Sequence, residues 1–225
     1  MTHSQPAVQA HATPEITPNR RGARSREAVL DAAERLMAER GYEAATTAAI
    51  VDAAGVPISS IYHYFKSKDG ILLAVMERGA ERFFDAIDLP TALTGSREQQ
   101  LRVGAAAVAA ALEHHPSFLR LLLTLSMRPP SDRPSESREV LQQVRVRALE
   151  RLRLYLAQVF ELDPAQEPAQ TLASVALAMI DGAFVASQAE EQQALGVILD
   201  QLSPALISVH RSLTLVGRDA SEGDT

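Results

Sequence analysis

The sequence predicts an all-α chain, with an N-terminal three-helix helix-turn-helix unit followed by a larger helical body. Three observations carry this. Apolar residues make up 46% of the 225 residues while aromatics make up only 4%, with no Trp, so Ala and Leu dominate and favour helices over strands. Every periodic stretch repeats at helical spacing, and no alternating β pattern survives anywhere. Two short helical stretches near residue 55 flank a Gly-containing turn. The length allows one large domain or two small ones, either able to bury a sizeable core.

Residues 1–22, with Pro6, Pro14 and Pro18, are too polar to offset the entropy of ordering and are expected to form a mobile arm. The arm runs into Arg20, Arg21, Arg24 and Arg26. The first helix is expected from a Ser25 cap to a stop at Gly41, with Val29, Ala33, Leu36 and Met37 on one face. Tyr42 then packs back. Thr46 or Thr47 caps a short helix to about Ala53, with Ile50 and Ala54 inward. Gly55 breaks it, and Val56 anchors the turn. Pro57 suits the first turn of a third helix reaching Phe65, in which Ile61 and Phe65 share an inward face. Ser67 caps a fourth helix through Ile71, Leu72, Val75 and Met76 to about Ile87.

After a connector near Leu89 to Ser96, helices are expected near Arg97–His114, Ser117–Ser126, Arg138–Phe160, Ala165–Gln188 and Gln193–Leu215. Pro204 should kink or divide the last. Arg128 to Ser135 reads as a loop, and 218–225 as a small acidic tail.

Several classes of function find no support. There are 22 basic against 28 acidic residues, so a uniformly basic nucleic-acid coat is ruled out and any such contact needs a local patch. Cys is absent, which excludes disulfide scaffolds, thiolate metal sites and cysteine nucleophiles. The apolar runs Val103 to Leu112 and Leu172 to Ile180 fall short of the ~20 residues a spanning helix needs, and the first 24 residues lack the apolar core of a signal. A cytoplasmic protein without membrane contact is expected. No nucleophile elbow, phosphate loop or HExxH motif is present, so no catalytic residue, cofactor or metal site is assigned. His114 and His115 are sequence neighbours on a helix and point apart, so a helix-dipole role explains them.

A helix-turn-helix makes specific demands. Its two helices cross steeply, so their contact needs a small residue, offered by Ala53 and Ala54. The turn needs Gly55, and Val56 and Ile61 complete a small core. The second helix can then enter a major groove about 12 Å wide. The run from Thr46 to Lys68, with Arg40-Gly41-Tyr42 before it and Leu72-Leu73-Ala74-Val75 after it, resembles the DNA-binding signature of the tetracycline-repressor (TetR) family. The resemblance covers about Ala23 to Phe84.

The resemblance implies a DNA-binding domain at 23–83, with its helix-turn-helix at 46–65, and a helical effector-binding and dimerisation domain at 84–217. It implies a homodimeric transcriptional regulator, usually a repressor on a palindromic operator, released when a small molecule binds the C-terminal domain. An activator or a protein-responsive DNA binder is the alternative; an all-helical enzyme or scaffold is a different class. By the same resemblance, Thr46 and Thr47 suit a phosphate. Pro57, Ile58, Ser59 and Ser60 are candidates for base contacts, while Tyr62, His63, Tyr64 and Lys68 match phosphate-contacting positions. Pro57 and Ile58 depart from the polar or basic residues many relatives carry there. Phe65 reads as core and Lys66 as solvated.

The first 75 residues carry eight basic and eight acidic side chains, and the remaining 150 carry 14 and 20. The acidic body should therefore stay off DNA. The last two long helices are too apolar for exposure on a monomer, and the resemblance implies pairing with a second copy through helices near 165–188 and 193–215. A ligand pocket is expected among Phe83, Phe84, Arg120, Met127, Tyr155, Met179, Asp181 and Phe184, though most of these also read as core. Asp181 interrupts an apolar helix and needs a partner, which an Arg of the long helix could supply.

Overall fold

A computed structural model describes residues 20–90, 93–129, 135–189 and 195–222, and among them all regular structure is helical. Helix α1 (Arg20–Arg40) is followed by α2 (Thr47–Ala54), α3 (Ile58–Tyr64) and α4 (Lys68–Ala86). The expected arm lies outside the described residues except for its last three, which belong to α1. The helix starts five residues before Ser25 because only Gly22 interrupts that stretch, at a cost of about 1 kcal/mol. Arg24 and Arg26 are therefore helical, and Arg26 sits 5.6 Å from the centre of the Phe65 ring.

Local chemistry fixes the short helices. The Thr46 hydroxyl accepts from the Ala49 amide at 3.2 Å and caps α2. Gly55 ends α2 in the left-handed region at φ 64. Pro57 is the N-cap of α3, one position before its expected place inside the helix. Ser67 caps α4 by accepting from Gly70 at 3.0 Å. The turn between α3 and α4 needs Gly70 for another reason: a Cβ there would lie 2.0 Å from the Phe65 carbonyl oxygen. Ile50, Ile61 and Phe65 join Leu30, Leu36, Met37 and Tyr42 in one buried core. Ala53 is exposed and Ala54 half-buried, so Ala54 alone is the small residue turned toward that core.

The body comprises α5 (Arg97–His114), α6 (Pro116–Ser126), α7 (Ser135–Phe160), α8 (Glu167–Ala189), α9 (Leu195–Leu199) and α10 (Leu202–Glu222). The expected helix 193–215 is divided in two, one of the outcomes Pro204 implied. Its break falls at Asp200 and Gln201, because the Pro204 ring would meet the Asp200 carbonyl of a continuous helix but is tolerated in the first turn of a new one. Helix continues to Glu222, so most of the stretch read as a tail is ordered as α10, with 223–225 outside the described residues. Most of the loop read at 128–135 likewise lies outside them.

The run Glu167–Gln188 is long and apolar enough, by length and composition, to cross a membrane, which the nine-residue run counted from sequence missed. Packing accounts for it: Leu172, Ala173, Ala176, Ile180 and Phe184 are buried, and α8 packs on α7, α9 and α10.

Helix α4 packs on α1, α5, α6 and α7, and one hydrophobic core runs from Val29 to Leu206. The domain boundary expected at 83/84 thus falls inside α4. Its Gly79 lies against Phe118 of α6, where a Cβ would meet that ring at 2.3 Å. Next to Gly79, the buried Arg78 binds three carboxylates of α1. They are Glu27 at 2.9 Å, Asp31 at 2.7 Å and Glu34 at 2.8 Å. Burial works against the Arg78 charge, but the hydrogen bonds to Glu27 and Glu34 and the charge of Asp31 prevail and hold its pKa above the ordinary value.

Candidate nucleic-acid interface and inner cavity

Helix α3 has one face in the core and one in solvent. Ile61 and Phe65 are buried behind it. Ile58 is 50% exposed and Tyr62 63% exposed, one turn apart, with exposed Ser59 and His63 beside them. These four form an outward stripe of short and aromatic side chains. Ser60 and Tyr64 flank it half-buried, and Tyr64 lies edge-on to His63 with ring centres 4.7 Å apart. Pro57 is exposed just before the helix.

At the start of α2, Thr46 is exposed. Its hydroxyl accepts from Ala49, which leaves the hydroxyl able to donate to an acceptor such as a phosphate oxygen. The first amides of α2, including Thr47, add the positive end of the helix dipole. Lys68 stands at the first position of α4. Its ammonium donates to the Glu43 carbonyl at 3.0 Å and lies 4.3 Å from the centre of the Tyr42 ring. Tyr42 in turn donates to Asp69 of α4. Lys68 is therefore held in place by the loop before α2 rather than swinging freely. Arg128, just past α6, reaches the same loop through Glu43 at 3.2 Å.

Behind this unit the body encloses a cavity of about 80 Å³ between α4, α5, α7, α8 and α10. Of the residues expected there, Phe83, Phe84 and Tyr155 line it. The others do not. Arg120 reaches Gln188, and Asp181 pairs with Arg145 of α7, the long helix from which a partner was anticipated. Met127 is the C-cap of α6 and 82% exposed, so its apolar character misled. Met179 is half-buried and Phe184 is buried, both away from the cavity wall.

Arg151 lines the cavity and was not anticipated; its signal was an arginine one turn from Arg147 on a half-apolar helix. Its guanidinium donates to the Phe84 carbonyl at 2.9 Å. Tyr155 donates to the Gln100 carbonyl at 2.5 Å, and burial pushes its pKa up. Among the described residues, no group of three or more acidic or histidine side chains is placed to hold a metal ion.

The family model for bacterial regulatory proteins of the tetR family matches residues 29–75, from α1 into α4. The transcriptional activator FasR of Mycolicibacterium smegmatis is 33% identical over 109 residues, covering 46% of this chain and 50% of that protein. The transcriptional repressor ComR of Escherichia coli is 40% identical over 58 residues, covering 26% of this chain and 28% of that protein. The chain thus spans half or less of the length of these relatives. A tetR-family regulator of Streptomyces coelicolor has the same fold, with a TM-score of 0.68 at 15% identity over 85% of this chain and 83% of that one. Residues 29–75 are thus similar to the tetR family of bacterial regulatory proteins, and the fold of a tetR-family regulator is shared along most of the chain.

Proposed function

We propose that this protein is a DNA-binding transcriptional regulator. In this reading it acts as a homodimer on a palindromic operator, represses, and is released when a small molecule enters the inner cavity. The observation that carries it is the outward stripe Ile58, Ser59, Tyr62 and His63 on a helix seated behind the Gly55 turn. Ile58 suits a thymine methyl, the serines suit base edges, and Tyr62, His63, Tyr64, Thr46, Thr47 and Lys68 suit the backbone. Pro57 fixes the entry of the helix. The unit at 23–83 supplies the contact with DNA, and the body at 84–217 supplies the cavity and the dimer contact, with residues 1–22 and 218–225 outside both.

Support for the dimer lies on α8 and α10, whose outer sides carry apolar side chains. Val185 is 51% exposed and Leu215 57% exposed, with Val175, Met179, Val209 and Leu213 half-buried near them in sequence. Two copies would space two α3 helices for successive major-groove faces. The sign of regulation is the finer point, since FasR is named an activator and ComR a repressor. An intracellular site of action follows from the DNA role.

The test is binding of the purified protein to the DNA upstream of its own gene, with salt varied. Saturable binding that weakens as salt rises and is lost in Tyr62→Ala supports the reading. Wild-type binding no tighter than to unrelated DNA, in this assay and in a selection from a random library, refutes it. Sedimentation at micromolar concentration checks the dimer, which a monomer would refute.

A further inference from the structure

The inner cavity and a shallow groove outside it share one residue, Arg151 of α7. Inside, every lining side chain other than Arg151 and Tyr155 is apolar. Tyr155 has already given its proton to Gln100, so the cavity wall offers a guest no free donor from it. A polar group placed there would lose its water with nothing in return, while a hydrocarbon would lose nothing. At about 80 Å³ the space is well below the roughly 300–1,000 Å³ of drug-sized sites and about half the ~150 Å³ that holds a benzene ring, so it admits a short thin chain of about four carbons and no ring.

Outside, the chemistry reverses. Arg147 and Arg151 stand one turn apart on α7, with the buried Phe84 ring beneath both. Their guanidinium carbons lie 4.5 Å and 5.6 Å from its centre. Arg147 is exposed and lines the outer groove. Among the described residues neither arginine has a carboxylate within salt-bridge distance. The acids of the groove are engaged elsewhere: Glu150 with Arg153 at 2.9 Å, and Glu139 with Gln143 at 3.2 Å. Two cations without counter-charge thus mark the boundary between a dry cavity and solvent.

We propose that this site takes a short amphipathic anion, a single unbranched chain of about four carbons in the inner cavity with its acidic head against Arg147 and Arg151. The proposal rests on the effector reading of the cavity, but chain binding and DNA release are measured separately. Phe84 is the partition between the two halves of the guest, and Arg151 touches both.

The test is titration calorimetry of the full-length protein with pentanoate, pentan-1-ol and butyltrimethylammonium. Pentanoate should bind one per chain, about tenfold tighter than the alcohol, with the cation weakest. Arg147→Gln, at an exposed position, should weaken pentanoate about threefold to tenfold and leave the alcohol unchanged. Ala176→Phe, which fills the cavity, should abolish both; Ala148→Phe, at a half-buried lining position, serves if the first variant melts without cooperativity.

Equal binding of acid and alcohol, an Arg147→Gln loss shared by both, or no saturable binding overturns the proposal. Pentanoate that binds as expected yet leaves the DNA complex intact upholds this chemistry and refutes only the effector role. Another small molecule that releases DNA, with none of the three probes bound, refutes this chemistry and upholds the effector role.

Discussion

Replacing Arg78 by Met removes the one buried guanidinium that ties α1 to α4 while keeping a side chain of similar length. Removing one partner of a buried ion pair costs roughly 3–5 kcal/mol, because the other charge is stranded. Here the burial is uneven. The Arg78 side chain is 10% exposed and that of Glu34 17%, but Glu27 is 45% exposed and Asp31 65%. The two exposed carboxylates are screened by water, and each such pair is worth about 0–1 kcal/mol. They also keep Arg82, at 3.2 Å from Glu27 and 3.7 Å from Asp31.

Glu34 therefore dominates, and the expected loss is about 2–4 kcal/mol. That is a large share of the roughly 5–15 kcal/mol that stabilises a typical domain. Urea denaturation followed by circular dichroism measures it. Adding Glu34→Gln to Arg78→Met removes the stranded charge and should restore about 1–2 kcal/mol, whereas Glu34→Gln alone destabilises. A loss below about 1 kcal/mol, or strictly additive effects of the two substitutions, would refute the reasoning.

Three further substitutions probe other parts. Gly70→Ala places a methyl 2.0 Å from a backbone carbonyl that cannot move without opening the α3–α4 turn, so a loss of about 2–3 kcal/mol is expected in the same denaturation assay. Tyr155→Phe strips the Gln100 carbonyl of its donor and should lower stability by about 1 kcal/mol, read as a reduced melting temperature.

The third concerns pH. Burial lowers the His115 pKa, with the charges of His114 and Arg82 adding to it and that of Glu34 opposing. The unfolded chain then takes up a proton first. The stability held by neutral His115 is complete above its ordinary value near 6.5 and falls as pH drops through that value toward the lower native pKa. His115→Gln should flatten part of that slope in unfolding curves taken between about pH 5 and 7. His210, lowered by burial and by Arg97, contributes to the slope in the same direction.

Much of the N-terminal unit was legible because local chemistry specifies it. Thr46, Gly55 and Ser67 cap or end helices within three residues of their partners, and the core positions Ile50, Ile61 and Phe65 follow from helical spacing alone. What escaped was non-local or lacked a marker. Arg78 finds its partners 44 to 51 residues away, although a charge in line with Ile71 and Val75 on a buried face was a usable sign. The start of α1 at Arg20 and the run of α10 to Glu222 were marked by Asn19 and Gly223 just outside them, but Gly22 and Gly217 within the helices read as earlier breaks.

The candidate DNA contacts were read as a set from residue types at fixed spacing, and the stripe on α3 brings four of them together. The cavity was legible only in character. Which apolar side chains face it depends on how α4, α5, α7, α8 and α10 cross, and periodicity within one helix does not contain that. Hence Phe83, Phe84 and Tyr155 reach the wall while Met127 stands in solvent.

Helix α4 is, mechanically, a beam. Its 19 residues make it about 28 Å long, with Lys68 at one end and the cavity-lining Phe83 and Phe84 near the other. Gly79 rests on the Phe118 ring with no side chain between, which makes that contact the natural fulcrum. From there the beam runs roughly 16 Å to Lys68 but only about 8 Å to Phe84. Any tilt about Phe118 is thus amplified about twofold at the Lys68 end. The arms are unequal in the direction that turns a small displacement at the cavity into a larger one near the N-terminal unit.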